Sequence, residues 1–374
     1  FFKTAPRAVP MVRRFGRSRG PPALALIAIL SAELPCFLQG RPLGLCLRKA
    51  ASHEPCAPEK VLSFSFDALS VAPEQRHPVM CSLARRMAVA EKLQVHDSSV
   101  DAYLQECLES MPLDNPYHGQ SHVLDVLQFL TTLLSETGLE QAMSPLQISV
   151  LVLAAAAHDV DHTGTTNNLL AEQGHEFVEE SEEGVGAMES HSARRAEVLI
   201  EELLLQNATL QRLVRRTIHG TDLAQHGRIL EDFHAAIQER EPQEFFQDTE
   251  HGVLLMQLLL KAADVSNPAR PLQTAKAWNS QIYEEFYAEG DQVLSAGGEP
   301  NPLHDRRTNN IPKSSAGFIN FHVKGIFVAL RDFVSLCKEQ GIPGIRPEGV
   351  EQVLANLDRN AACFAEEAAS QKAE

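Results

Sequence analysis

The 374-residue chain has no CxxC pair, no excess of positive charge and no long apolar run. Each absence excludes something. Its seven cysteines (Cys36, Cys46, Cys56, Cys81, Cys107, Cys337 and Cys363) are odd in number and widely spaced. That argues against a disulfide framework and for buried free thiols. A formal net charge of −16 argues against a nucleic-acid-binding surface. The apolar stretch 23–30 is short for a bilayer span, which needs about 20 residues. No series of alternating strands and no internal repeat is found. The fold class predicted is therefore all-α.

The chain is 44% hydrophobic and 22% charged, as expected of a globular protein with a sizeable core. The first fifty residues differ, with nine Lys or Arg and a single acid, Glu33. From Met11 a basic stretch (Arg13, Arg14, Arg17, Arg19) precedes the apolar run at 23–30 and then small and polar residues. This is the layout of a targeting peptide, although a functionless basic leader has the same composition. The expected division is a leader over 1–60 and one folded unit over 61–374. Membrane or organelle association is expected only through the leader, and a cytoplasmic location otherwise. The oligomeric state is not legible.

From Ser63 onward the periodicity is helical. Val123, Leu124, Val126, Leu127, Leu130, Leu133 and Leu134 recur at helical spacing, and Ser144-Pro145 opens the next helix. The segment 148–157 is almost wholly apolar, which predicts a central buried helix. Further helices are predicted over 193–205, 252–263, 275–289 and 316–337. Glu179, Glu180, Glu182 and Glu183 read as a solvated loop.

His158-Asp159-Val160-Asp161-His162 directly follows the apolar run. Adjacent His and Asp offer a nitrogen and an oxygen ligand, and on a helix His158 and His162 share a face. Imidazole with carboxylate suits zinc; carboxylate with water suits magnesium or manganese. Three more segments carry similar chemistry: 115–122 with Asp125, 188–191, and 261–268. Isolated histidines (His175, His219, His226, His234, His251, His304, His322) read as structural, His191 as packing or outer shell, and Trp278 and Phe286 as core.

In order and spacing, YHxxxH (Tyr117–His122), HDxDHxGxxN (His158–Asn167), ADxSNP (Ala263–Pro268) and EEFxxxGD (Glu284–Asp291) together resemble the catalytic domain of class I cyclic nucleotide phosphodiesterases. The resemblance covers roughly residues 63–364. It implies a compact all-α domain of about sixteen helices, of the HD-hydrolase type. It also implies two divalent metal ions, zinc at the tighter site and magnesium or manganese at the second. His122, His158, Asp159 and Asp264 would be the metal ligands. His162, Glu189 and Thr221 would stand in the outer shell, Thr221-Asp222 otherwise reading as a helix cap.

The implied reaction is hydrolysis of a 3′,5′-cyclic nucleotide (cyclic AMP, cyclic GMP or both) to the 5′-monophosphate. A water activated between the cations attacks, and His118 is the general acid. His118, one helical turn before His122, would be kept charged by a carboxylate near Glu189 or around Asp264. The base pocket would comprise Tyr117, Asn267, Ile282, Ser315 and Phe318, with Asn267 bonding a base edge. Here the chain departs from the family. Ser315 stands where the family has a purine-binding Gln, and a hydroxyl lacks the paired contacts of an amide. Gly119 replaces the usual Asn, and the loop after Asn167 carries acids where apolar residues are usual. Two other readings remain: a degenerate phosphodiesterase that binds nucleotide or a partner without turnover, and an HD-type hydrolase of another phosphate ester.

Overall fold

The computed structural model describes residues 61–247 and 249–371. The leader, with Cys36, Cys46 and Cys56, lies outside the described residues. Twelve helices carry the architecture: α1 (Pro73–Arg86), α2 (Asp97–Glu109), α3 (Gln120–Thr137), α4 (Pro145–Ala157), α5 (Ala187–Leu199), α6 (Ala208–His219), α7 (His226–Glu239), α8 (Glu250–Asp264), α9 (Leu272–Ser295), α10 (Ile311–Phe318), α11 (Lys324–Glu339) and α12 (Glu348–Ser370). Short helical turns join them, and no strand occurs among the described residues. The all-α expectation holds, and none of the described helices is long and apolar enough to cross a membrane.

The predicted central helix is α4. Ser144 and Gln147 close a reciprocal capping box and Pro145 takes the first helical position, so the start is sharply fixed. Every residue from Gln147 to Ala157 is buried, against α3, α5, α6 and α8. Full burial of each Ile, Val or Leu there contributes about 1.5–3 kcal/mol. Helix α4 ends at His158, so the metal motif begins where the apolar run stops.

The next turn corrects two expectations. Asp161 takes a left-handed φ of 61°, and His162 leaves the helical path. His158 and His162 therefore do not share a helical face. His118 is likewise not on the helix of His122, because α3 starts at Gln120 with Gly119 as its N-cap. Both histidines sit on loops at helix ends, where the backbone can turn their rings toward a common point. Predicted 193–205 divides into α5 and a π-helical turn, Ile200–Leu204. Predicted 316–337 divides at a π-helical turn, Ile319–Val323, directly after Phe318. Cys81, Cys107 and Cys337 are buried free thiols, and Cys363 is half-buried.

Candidate active site

Three helix ends meet at the site: the start of α3, the end of α4 and the end of α8. They bring His122, His158, Asp159 and Asp264 together, with one ligand atom of each inside a 4.8 Å sphere of mutual distances. His122 Nε2 lies 3.1 Å from Asp264 Oδ1 and 3.4 Å from Asp159 Oδ2. His158 Nε2 lies 3.4 Å and 3.3 Å from the same two atoms. The two Nε2 atoms are 3.3 Å apart. A tetrahedron of ligands about 2.1 Å from a central zinc has edges of about 3.4 Å. Five of the six distances within the cluster, all but that between the two carboxylates, lie near that length, at 3.1–3.4 Å.

Second contacts fix the ligands. His158 Nδ1 lies 3.0 Å from the Ala155 carbonyl, which takes the ring proton there and leaves the Nε2 lone pair free. Asp159 Oδ2 is buried without a hydrogen-bond partner, as expected of an atom that faces a cation. Burial disfavours charge on His122 and His158. The carboxylates of Asp159 and Asp264 outweigh it and raise both pKa values. Burial also opposes the two carboxylate charges, but the imidazoles hold both Asp pKa values low. The residues present thus fit a divalent cation.

Around a second position, Glu189 is half-buried and accepts a 2.9 Å bond from Asn167 Nδ2. Desolvation first, then the Asp222 carboxylate, pushes its pKa up to about 7. The buried Lys261 ammonium is the positive group that faces both carboxylates. Thr221 donates to Ile218 O at 2.8 Å, and the Asp222 side chain accepts from Ala224 N and Gly186 N. Asp222 thus caps the turn that follows, in line with the capping reading of this pair. Lys261, buried at the end of α8, donates to the Thr221 and Asp222 carbonyls at 3.1 and 3.0 Å and secures this turn.

His118 has a partner that the sequence reading did not name. Glu285 on α9 bonds His118 Nδ1 through Oε1, while its Oε2 accepts the backbone N–H groups of Tyr117 and His118 at 3.1 and 3.0 Å. Neither Glu189 nor a group around Asp264 fills that role. The signal was present in EEFxxxGD, whose second Glu lies 167 residues away in sequence and so cannot be paired by local spacing. Burial lowers the pKa of His118, but Glu285 more than compensates and raises it to about 9. Burial raises the pKa of Glu285, but His118 brings it down to about 2. His162 stacks on His118 with ring centroids 3.9 Å apart. Burial, then the positive His118, lowers its pKa to about 4. Of two stacked imidazoles, His118 is the one that carries the proton.

The motif glycines have steric causes. A Cβ on Gly164, at φ +72°, would lie 2.7 Å from Asn115 Oδ1, and the Asn115 amide itself ties the His118 and His162 carbonyls together. A Cβ on Gly290 would lie 1.9 Å from the His304 carbonyl oxygen. Glu289 in turn accepts from Thr166 N and Oγ1 and pairs with His304, pinning the loop after the metal motif to α9. His304 is structural, as expected.

The matching family model, 3′5′-cyclic nucleotide phosphodiesterase, covers residues 117–341. The chain belongs to this family. A Drosophila melanogaster 3′,5′-cyclic-AMP phosphodiesterase, isoform F, is 30% identical over 59% of the chain and 35% of its own length. A human high affinity cAMP-specific and IBMX-insensitive 3′,5′-cyclic phosphodiesterase 8A is 28% identical over 74% of the chain and 37% of its own length. The chain thus spans little more than a third of these relatives. The structure of LmjPDEB1 in complex with IBMX is similar, with a TM-score of 0.71, 25% identity, and coverage of 82% of this chain and 92% of that one. The phosphodiesterase family and the His/Asp cluster support dependence on divalent metal.

The base end departs from expectation. Asn267 is 4% exposed and has no free amide end: Oδ1 accepts from the Tyr117 hydroxyl, and Nδ2 donates to Asp125 Oδ2 at 2.8 Å. Asp125 is itself fixed by Arg270 at 2.8 Å, with both side chains fully buried. Asn267 and Tyr117 thus form a strut beneath the metal ligands, with the Tyr117 ring against His118, His122 and Trp278. These bonds commit the Asn267 oxygen and one of its two N–H donors, and the Tyr117 hydroxyl proton. Ser315 is 4% exposed, while Ile282 and Phe318 are half-buried. Glu179, Glu180, Glu182 and Glu183 are all exposed, as expected of a solvated segment, with surface pairs from Glu180 to Arg194 and from Glu182 to Arg215.

Proposed function

We propose that this chain hydrolyses a 3′,5′-cyclic nucleotide to the 5′-monophosphate. The observation that carries the reading is the pairing of the His122–His158–Asp159–Asp264 cluster with a proton-bearing His118 held by Glu285. Divalent cations bound there would activate water and offset charge on the phosphoryl oxygens. Two His and two carboxylates suit zinc at this cluster. Asp159 would be the ligand shared with a second ion, magnesium or manganese, with His162, Glu189 and Thr221 as outer partners.

The protein side of the reaction follows from the geometry. Cleavage of the P–O3′ bond leaves an alkoxide that must be protonated. His118 spends Nδ1 on Glu285, so Nε2 is the atom that gives up the proton, and with a pKa of about 9 the ring is charged at neutral pH. Glu285 holds the ring orientation through Nδ1 and two backbone N–H bonds, so the acid is positioned before substrate arrives. The phosphodiesterase name carried by the similar proteins supports the same reaction class.

The test is hydrolysis of cyclic AMP and cyclic GMP in parallel by the purified chain with magnesium and zinc, with Asp264→Asn as the blank. Loss of an outer-shell partner typically costs about 10–100-fold. Asp264→Asn should exceed that and release metal, as read by elemental analysis. Wild-type turnover that survives in Asp264→Asn would sink the assignment. Metal binding without turnover of either nucleotide would point to a binding role or to another phosphate ester.

A further inference from the structure

Position 315 lacks the amide expected there, and Asn267 is bonded at both its oxygen and its nitrogen. A third amide stands beside Ser315. Asn279, on α9, donates from Nδ2 to Ser315 Oγ on α10 at 2.7 Å. Ser315 Oγ in turn donates its only proton to the Ile311 carbonyl at 2.8 Å. The hydroxyl therefore accepts from Asn279, which sets the amide with Nδ2 toward Ser315 and Oδ1 away from it. Asn279 is half-buried, and this is its one hydrogen bond among the described residues. Its Oδ1, unlike that of Asn267, has no partner among the described residues.

The position suits a base. Asn279, Ile282 and Glu285 follow one another at intervals of three on α9, each beside the next. At 1.5 Å rise per residue, Asn279 is about 9 Å along the axis from the group that holds the acid. Ile282 falls between them, and Phe318 follows Ser315 by three residues on α10; both are half-buried. Nearby, Ser314 donates to Asn309 Oδ1 at 2.7 Å, and Asn309 Nδ2 bonds the Tyr287 hydroxyl at 3.2 Å. A half-spent neutral amide beside half-buried apolar side chains suits a flat heterocycle with alternating donors and acceptors.

We propose that Asn279, oriented by Ser315, is the residue that reads the nucleotide base, and that it takes adenine, with its 6-amino group beside a ring-nitrogen acceptor, in preference to guanine. An unspent carbonyl oxygen beside an N–H matches the amine and adjacent ring nitrogen of adenine, whereas guanine presents O6 and N7 acceptors on that edge. This rests on the cyclic-nucleotide reading above.

The experiment compares wild type, Asn279→Ala and Asn279→Asp on cyclic AMP, cyclic GMP and bis(4-nitrophenyl) phosphate, a diester without a base. Asn279→Ala should lower kcat/KM for cyclic AMP on the order of tenfold, chiefly through KM, as expected for one lost hydrogen bond in a binding site. Asn279→Asp keeps an acceptor oxygen but loses the N–H donors to Ser315 and to the base, so it too should lose cyclic AMP turnover. The base-free diester should not follow the cyclic AMP loss. Cyclic AMP turnover unchanged in Asn279→Ala overturns the inference while leaving the reaction intact. So does a parallel fall for the base-free diester, or a loss confined to cyclic GMP. A wild-type chain that cleaves only the base-free diester overturns the cyclic-nucleotide reading, and the assignment of Asn279 falls with it.

Discussion

At the metal end of the site, polar atoms are either paired or converge on a common centre. At the base end they are small, neutral and half-spent. The difference follows from what each end must resist. Four ligands with both signs of charge, drawn from three helix ends, cost several kcal/mol of desolvation unless their geometry is held. The fold holds them with the Ala155 carbonyl, the Asn267–Asp125–Arg270 strut and the Glu285 clamp. The bonds given around Ser315 and Asn279 join neutral groups, so Ser315 can differ from the family without unpairing a charge. Chemistry is thus held rigid where charge is concentrated, and recognition is free to drift where it is not.

Replacing His118 by Ala is the strongest way to break that contrast. It removes the proton donor and should lower kcat by about 10²–10⁴-fold, the usual share of general acid catalysis. Metal content read by elemental analysis should be retained, because His118 is not among the four cluster ligands. A His118→Ala enzyme with normal kcat would mean that the proton comes from elsewhere. The supporting strut is tested next. Asp125→Asn leaves the Arg270 guanidinium buried without its counter-charge and should cost about 3–5 kcal/mol of stability in denaturant titration. A loss below about 1 kcal/mol would show that Gln128, which accepts from Arg270 at 2.7 Å, suffices alone.

The two ends also differ in how far the sequence reveals them. The ligand set was legible because HD, ADxSNP and YHxxxH keep rigid order. The all-α class was legible because α3 and α4 carry clear apolar patterns with a capping box between them. The local geometry was less legible. Helical spacing suggested shared faces for His158 with His162 and for His118 with His122. Asp161 at φ 61° and the Gly119 cap end those helices first. Glu285 was quoted within a motif but not paired, and Asn267 was taken as free for the base, because tertiary partners far apart in sequence leave no periodic signal. Asn279 had no signal at all; only the contact with Ser315 reveals it.

The smallest expected effect sharpens the contrast through pH. Glu285→Gln keeps the shape and an acceptor for the His118 N–H groups but removes the charge. The carboxylate is what holds His118 near pKa 9, against burial that pulls it down from the ordinary 6.5. Without it, burial prevails and His118 loses its proton at a lower pH. The alkaline limb of kcat/KM should move down, and activity at pH 8 should fall by about 10-fold or more while changing little below pH 6. Stability should follow the same pair. A raised His118 contributes fully below about 6.5 and loses its contribution as pH rises through about 9. A depressed Glu285 contributes above its ordinary 4.5 and loses its contribution as pH falls through about 2. The Tm difference between wild type and Glu285→Gln should therefore be widest between about pH 4.5 and 6.5 and shrink toward pH 9. An alkaline limb that does not move in Glu285→Gln would separate the acid from its clamp and leave Glu285 with only the Tyr117 and His118 backbone to hold.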